Sequence, residues 1–170
     1  FVTAAIFMGG LVMLPKRPFA AGILLGCLVV KPQLALMLPI ALLAAREWRA
    51  IAGAALSSAG VLLSGALVFG LPASLAWLDQ LPLYVEIGRD GLSGWHKMSS
   101  VYVAMRQAGM AMEWAFAIHF AVAAGAALIT WRGWRSDADF LCKAAVLAAA
   151  TLLASPYVYS YDALLLVVAF

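Results

Sequence analysis

The sequence predicts an all-α protein built from transmembrane helices. Hydrophobic residues make up 66% of the 170-residue chain and charged residues 11%, whereas soluble domains are about half apolar and a quarter charged. Such a chain has too little polar surface to cover a globule in water. Apolar runs close to the length of about 20 residues that spans a bilayer alternate with short basic clusters. We therefore expect a polytopic helical bundle whose solvent is lipid.

The apolar runs define the expected helices in chain order. Residues 50–71 and 112–131 form two clean spans, and shorter runs flank them. We expect the whole chain, 1–170, to be one transmembrane domain fragment that is incomplete at both ends, because it opens and closes inside apolar runs. The remaining runs cover residues 1–14, 19–30, 34–45, 140–154 and 163–170.

Three short basic clusters predict the orientation. They hold seven of the eleven lysines and arginines, and the positive-inside rule places such clusters in the cytoplasm. The polar region 72–110 is then an extracytoplasmic loop. No basic face alternates with aromatic residues, so we expect no nucleic-acid partner. The clusters consist of Lys16 and Arg17, of Arg46 and Arg49, and of Arg132, Arg135 and Lys143.

Two polar stretches interrupt apolar runs and predict chain reversals. KPQ (31–33) separates two pieces of about 12 residues, each about 18 Å long as a helix and too short for a core of about 30 Å. Pro32 lacks an N–H and disfavours helix at Lys31. We therefore expect the tip of an outward-facing helical hairpin, with one tilted helix kinked at Pro32 as the alternative. SPYVYSYD (155–162) predicts a second tip on the same side.

Polar groups at these tips are candidate binding residues. A charge inside a membrane costs about 2.5–3.5 kcal/mol on insertion scales, so Lys31 either snorkels to the interface or contacts an anion such as a lipid phosphate. Gln33 adds a neutral hydrogen-bonding group. Asp162 either caps the helix that follows it and favours its N-terminus electrostatically, or it binds a sugar hydroxyl or pairs with Lys31 or Lys97. His119, inside the second clean span, either relays protons or hydrogen-bonds to a neighbouring helix.

The outer loop contains a further candidate, GWHKMSS (94–100). Trp95 is either an interfacial anchor or an aromatic face for a sugar, and Lys97 can hold a phosphate. Ser99 or Ser100 can cap a short surface helix over residues 99–108.

In the first clean span, Gly53/Ser57 and Gly60/Ser64 predict close helix packing. No nucleotide-binding, zinc-protease or hydrolase motif is present, so we expect no cofactor and no metal.

Three stretches, in their order and at their gaps, resemble one family. They are VVKPQLALMLPIALLAAREWRA (29–50), GWHKMSSVYVAMRQAG (94–109) and SPYVYSYDALLL (155–166). The set resembles the polytopic glycosyltransferases of family 87. The resemblance implies a GT-C type helical bundle in the plasma membrane. Its members transfer a hexose, typically mannose, from a polyprenyl-phosphate donor to a lipid or glycan acceptor on the outer face, with inversion.

The resemblance also implies roles for single residues. Many members have His where this chain has Tyr157, which supplies a hydroxyl but no positive charge. The general base is expected to be an aspartate in the first outer loop, upstream of Phe1. Lys31 matches the family's KP-Q position, Trp95, Lys97 and Ser100 match its W-x-K-M-x-S pattern, and the YD pair is Tyr161 and Asp162. The expected donor- and acceptor-binding residues are Lys31, Gln33, Trp95, Lys97, Ser100, Tyr157, Tyr161 and Asp162.

Two other functions are alternatives at this level. A secondary transporter uses broken helices with polar residues at the breaks as its binding site, and both KPQ and SPYVYSYD fit that description. The second alternative is a non-catalytic membrane subunit or lipid scaffold, in which case no outer-loop carboxylate would be expected upstream. The order of the three family-like stretches favours the transferase over both.

Overall fold

The computed structural model describes residues 1–80, 82–83, 86 and 94–169, which form helices and turns without a strand. Arg89 and Asp90 of the predicted outer loop lie outside these residues. Short 3₁₀ segments cover Cys27–Val30, Pro32–Leu34, Trp95–Lys97 and Ser160–Ala169. The α-helices are α1 (Val2–Met13), α2 (Pro18–Gly26), α3 (Leu38–Ala44), α4 (Trp48–Phe69), α5 (Leu71–Asp79), α6 (Val101–Gln107), α7 (Met112–Arg135) and α8 (Phe140–Ala154).

The predicted outer loop carries more regular structure than its polarity indicates. Helix α5 begins at once after α4, across Gly70, whose φ of 84° turns the chain between them. Pro72 is the second residue of α5, where a proline's fixed φ suits the first turn of a helix. Helix α6 lies where a short helix over 99–108 is predicted. The region 72–110 is therefore partly helical.

Helices α2 and α3 are the two arms around the KPQ break, and both pack on α4. Gly22 approaches Ala50, and Gly26 approaches Ala54 and Ser57, so α2 and α4 run in the same direction. A turn at 45–47 reverses the chain between α3 and α4. The chain therefore reverses at KPQ as a hairpin does, whereas a single helix kinked there would leave α2 antiparallel to α4.

Glycines set how closely α2 and α4 approach. A Cβ built on Gly22 would lie 2.0 Å from the carbonyl oxygen of Ala50, and one on Gly53 would lie 2.3 Å from that of Phe19. The close packing predicted for the Gly53/Ser57 pair is therefore confirmed. Gly60 has open space around its Cα. The same prediction for the Gly60/Ser64 pair is wrong among the described residues, because α2 ends before it reaches that level.

Helices α7 and α8 run antiparallel, and the contacts between them identify the two ends of the molecule. The Trp134 indole N–H donates to the Lys143 carbonyl at 3.0 Å near one end, and His119 bonds to the Ala154 carbonyl at 3.1 Å towards the other. At the first end lies a cleft of about 140 Å³. It is lined by residues of the PKRP, REWR and WRGWR turns, such as Pro15, Glu47 and Trp134. The three basic clusters therefore share the end of α7 at which Arg135 lies.

Helices α4 and α7 are long and apolar enough to cross a membrane. Their surfaces are mostly exposed, as Leu67 at 85% and Phe69 at 76% show for α4. A helix in the core of a soluble protein would bury such side chains. The all-helical fold of the described residues and the two candidate spans agree with the coarser part of the prediction, an all-α fold with membrane-spanning helices. The main core fills the space between α1, α2, α3 and α8, through residues such as Phe7, Leu25, Leu38 and Leu147.

Candidate functional site

The GWHKMSS loop and the SPYVYSYD break meet at the end of α7 opposite the basic turns. Met98 and Tyr159 form an isolated antiparallel bridge, and the Ser99 N–H donates to the Val158 carbonyl at 2.8 Å. The Ser160 hydroxyl donates to the Lys97 carbonyl at 3.2 Å. Backbone pairing of this kind holds two segments about 60 residues apart in the sequence in fixed register.

The KPQ break joins the same site through an ion pair. The Lys31 ammonium contacts Oδ1 of Asp162, and Oδ2 accepts the Tyr159 N–H at 3.2 Å. The Asp162 side chain is 1% exposed and that of Lys31 is 18% exposed. The predicted pairing of Asp162 with Lys31 is therefore confirmed, and its partner is not Lys97. The capping alternative is borne out as well, because Asp162 lies in the first turn of the 3₁₀ segment Ser160–Ala169 and accepts the N–H of Tyr159, the residue directly before that segment.

Tyr161 lies beside this ion pair. The Lys31 ammonium sits 4.5 Å from the centre of its ring, a distance at which a cation is attracted to an aromatic face. Tyr159 stacks on Tyr161 with ring centres 5.4 Å apart and planes 4° apart. Tyr161 is nonetheless 57% exposed. Its ring is engaged by protein groups, while much of its surface still faces outward.

Tyr157 is the residue at which the family resemblance implies a His in many members. Its ring meets Tyr102 edge-on at 6.0 Å, and Tyr102 stacks on Phe116 at 4.2 Å. Burial, and then the neighbouring Tyr102, raise the pKa of the Tyr157 hydroxyl above its usual value near 10. Tyr157 is therefore a neutral hydrogen-bond donor at physiological pH, and it brings no positive charge to the site.

Trp95 and Lys97 lie on the short 3₁₀ segment of the GWHKMSS loop. Gly94 precedes them with a φ of 77°, a left-handed turn that favours glycine. The Lys97 side chain is exposed, and it forms no ion pair within the part of the chain that the structure describes. Trp95 is half-buried, with the Arg106 guanidinium 5.4 Å from its ring. Lys97 is thus the most accessible cation of the predicted set.

Ser100 and Gln33 have more local surroundings. The buried Ser100 hydroxyl accepts the Val103 N–H at 3.2 Å and caps α6, which confirms the predicted cap. Gln33 lies half-buried in the 3₁₀ segment after Lys31, and its amide makes no hydrogen bond with the described residues. Gln33 therefore has free hydrogen-bonding groups one residue beyond Pro32.

His119 is hydrogen-bonded to a neighbouring helix. It is 1% exposed, and its Nε2 lies 3.1 Å from the carbonyl oxygen of Ala154 on α8. That carbonyl belongs to the last turn of α8, whose final four carbonyls lack partners inside the helix. The hydrogen bond to a neighbouring helix that was one of the two predictions for His119 is therefore confirmed.

The SPYVYSYD break begins some way before the end of α7. Helix α8 ends at Ala154 beside His119, whereas α7 continues for seven further residues to Met112, about 10 Å at 1.5 Å per residue. The break after Ala154 therefore lies below the end of α7, with α6 and the GWHKMSS loop beside it.

Sequence reasoning missed Tyr159 and Ser160. The Tyr159 backbone pairs with Met98 and holds Asp162, and the Ser160 hydroxyl reaches Lys97. The alternation of Tyr157, Tyr159 and Tyr161 was the available signal, because alternation every second residue predicts extended chain. Within the described residues, no group of three or more His, Cys, Asp or Glu side chains could hold a metal ion.

The comparison with protein families identifies the chain. The family model of glycosyltransferase family 87 matches residues 1–156, which include the KPQ break and the GWHKMSS loop and end before Tyr157. No curated protein and no solved structure matches the chain. The family match covers well over half of the sequence and agrees with its two long apolar helices. The chain therefore belongs to glycosyltransferase family 87, a family of membrane glycosyltransferases.

Proposed function

We propose that this chain transfers a hexose, by its family resemblance mannose, from a polyprenyl-phosphate donor to a lipid or glycan acceptor. The observation that carries the proposal is the convergence of KPQ, GWHKMSS and SPYVYSYD at one place, on the side of the molecule away from the basic turns. These three stretches bring two lysines and several hydroxyls to that side. This combination suits an anionic leaving group attached to an apolar chain.

The lysines take different parts in this proposal. Lys97 is exposed and its charge is uncompensated within the described residues, so it makes the main contact with the donor phosphate. Lys31 is held by Asp162, but an ammonium has three N–H donors. Its remaining donors are directed to the same phosphate, and Asp162 keeps the group in place.

The neutral side chains bind the sugar and the acceptor. Tyr157 donates a hydrogen bond from its protonated hydroxyl, and Tyr161 offers its exposed edge, since its ring is engaged by Lys31 and Tyr159. Gln33 contributes a free amide. Trp95 and Ser100 line the loop and position Lys97 between them. These residues complete the proposed donor- and acceptor-binding set.

The reaction follows an inverting course. The acceptor hydroxyl attacks the sugar carbon in line, and the phosphate leaves towards Lys97 and Lys31, which stabilise its developing charge. Asp162 is occupied by Lys31 and by the Tyr159 N–H, so it is not the general base. The proposed base is the aspartate that the family resemblance implies. Lysines take the place of a metal ion at the leaving phosphate.

The proposed site faces the outside of the plasma membrane. It lies at the end of α7 opposite the three basic turns, and short basic turns remain in the cytoplasm. The transporter alternative gains no support, because the matching family consists of glycosyltransferases. The scaffold alternative gains none for the same reason.

The test replaces Lys97 with alanine in the full-length protein. The expected result is a fall in kcat of about 10²-fold or more, the effect of removing one donor to a developing negative charge. Sugar transfer from polyprenyl-phosphate mannose is measured in membranes, with and without EDTA, and EDTA is expected to leave the rate unchanged.

The matched control is Lys16→Ala, which removes an exposed lysine at the opposite end of the molecule. Its activity should equal that of the unsubstituted protein. Equal activity of the Lys97→Ala and Lys16→Ala proteins would exclude Lys97 from phosphate binding. Loss of transfer in EDTA would show that a metal ion takes part.

A further inference from the structure

The cleft of about 140 Å³ between the three basic turns has walls of mixed character. Its apolar wall includes Leu14, Trp134 and Phe140. Its two charged lining residues, Glu47 and Lys143, are of opposite sign, and both are half-buried. The cleft therefore presents one anionic and one cationic residue to a molecule that enters it.

Neither charge is used by the helix on which it lies. Glu47 is the N-cap residue of α4, yet its side chain accepts no N–H of that helix. Lys143 is the fourth residue of α8, near the end at which the helix dipole disfavours a cation. Asp139 caps that end instead, by accepting the Leu141 N–H at 2.8 Å. Within the part of the chain that the structure describes, the side chains of Glu47 and Lys143 pair neither with each other nor with another group.

The size and depth of the cleft indicate which ligand it meets. Its volume is close to the roughly 150 Å³ of an engineered protein cavity that binds benzene, so it takes a small group and not a whole lipid. Trp48 and Trp131 lie in the same turns and are 62% and 37% exposed. Exposed tryptophans at the ends of membrane spans lie at the level of the lipid headgroups. The cleft therefore opens at the depth of the headgroups of one leaflet.

We infer that this cleft binds the headgroup of a zwitterionic aminophospholipid, of the phosphatidylethanolamine type. The phosphate of the headgroup contacts the Lys143 ammonium, and its primary ammonium donates to the Glu47 carboxylate. An anionic phospholipid would satisfy Lys143 but would place negative charge against Glu47, and a choline headgroup has no N–H to donate. This site lies at the end of the molecule opposite the three converging stretches and does not depend on the proposed transfer reaction.

The experiment measures phospholipid retention by the purified full-length protein. The protein in detergent is incubated with phosphatidylethanolamine, phosphatidylcholine or phosphatidylglycerol of equal chain length, and native mass spectrometry counts the molecules retained. The unsubstituted protein should hold phosphatidylethanolamine about tenfold more tightly than the other two, the effect of one hydrogen bond to a charged group. Tighter retention of phosphatidylglycerol would overturn the inference, because the surrounding basic turns and not Glu47 would then select the lipid.

Two substitutions separate the roles of the charges. Glu47→Gln keeps the shape of the side chain and should abolish the preference for phosphatidylethanolamine, while retention of phosphatidylglycerol rises. Lys143→Gln should lower the retention of both lipids. The matched controls are Asp137→Asn and Lys16→Gln, which remove exposed charges at the same end of the molecule that do not line the cleft. Equal lipid preferences in Glu47→Gln and Asp137→Asn would overturn the inference.

Thermal unfolding of the full-length protein in vesicles provides a second measurement. A ligand that binds only the folded state raises the melting temperature, so phosphatidylethanolamine vesicles should stabilise the unsubstituted protein more than phosphatidylcholine vesicles do. Glu47→Gln should remove this difference. If Glu47→Gln and Lys143→Gln lower the melting temperature equally in both lipids, the two side chains pair across the cleft and no headgroup lies between them. If soluble phosphoethanolamine displaces the lipid as readily as more lipid does, the cleft takes the free molecule and the lipid assignment fails.

Discussion

At the scale of the residue, the central feature is the ion pair between Lys31 and Asp162. Each lies at a break between apolar segments, where a lone charge would be costly. Together with the Tyr159 N–H they hold the KPQ and SPYVYSYD breaks to each other. A buried pair is not strongly stabilising compared with apolar replacements, but breaking it leaves one charge uncompensated. The ion pair therefore contributes mainly by fixing the two breaks in position relative to each other.

This pair predicts unequal effects from the two single substitutions. Lys31→Met leaves the Asp162 carboxylate, 1% exposed, without a counter-charge, whereas Asp162→Asn leaves Lys31, 18% exposed, able to reach water. Lys31→Met should therefore cost more, up to about 3–5 kcal/mol. The double variant should cost less than the two single effects added together. Thermal unfolding of the purified full-length protein measures all three.

The ion-pair interpretation has a clear contrary result. If the two single effects simply add in the double variant, the side chains are not coupled in the folded protein. If Asp162→Asn costs more than Lys31→Met, the charge that the fold buries more deeply is the lysine.

At the scale of the element, helix α4 has two different halves. Its first half is packed against α2 through Gly53, while Gly60 in its second half has open space around it. The sequence shows both glycines in the same small-xxx-small pattern, and no local signal distinguishes them. The difference arises after α2 ends at Gly26: the 3₁₀ segment Cys27–Val30 that follows still contacts α4, but it leaves the space around Gly60 open.

Alanine substitutions at the two glycines should have opposite signs. Gly53→Ala places a Cβ 2.3 Å from the Phe19 carbonyl oxygen, and such overpacking costs about 1–3 kcal/mol. Gly60→Ala meets no atom and gains about 0.8–1.0 kcal/mol of helix propensity. Melting temperatures of the full-length variants provide the comparison. Destabilisation by Gly60→Ala would show that another segment packs on the second half of α4.

At the scale of the whole molecule, the two ends of α7 differ in character. Basic turns gather at the Arg135 end, and the two breaks with the GWHKMSS loop gather towards the Met112 end. Helix α7 has 24 residues, or about 36 Å at 1.5 Å per residue, enough to separate the ends by a bilayer core of about 30 Å. The molecule is therefore polarised along its spans.

That polarity predicts which lysines face outward. In a background without Cys27 and Cys142, Lys97→Cys should react with a membrane-impermeant maleimide added to intact cells. Lys16→Cys should react only after the cells are permeabilised, because it belongs to a basic turn. The extent of labelling is read from the purified protein. Labelling of Lys16→Cys in intact cells would reverse the proposed orientation.

Much of the fold could be predicted from local patterns. The apolar runs predicted α1, α4, α7 and α8, because segment length and hydropathy are local properties. The break at Lys31 followed from Pro32, and the cap of α6 followed from the serines before Val101. Helix α5 was not predicted, because the surrounding polar residues obscured its short apolar pattern.

The candidate site could be predicted only in part. The sequence by itself determined the membrane character, the family, and the three polar stretches, since each is written in neighbouring residues. The tertiary structure decided that Asp162 pairs with Lys31 and not Lys97, that Tyr159 holds Asp162, and that Gly53 is packed while Gly60 is open. It also produced the cleft that Glu47 and Lys143 line. These features depend on contacts between segments distant in the sequence, and such contacts are set by how the helices pack.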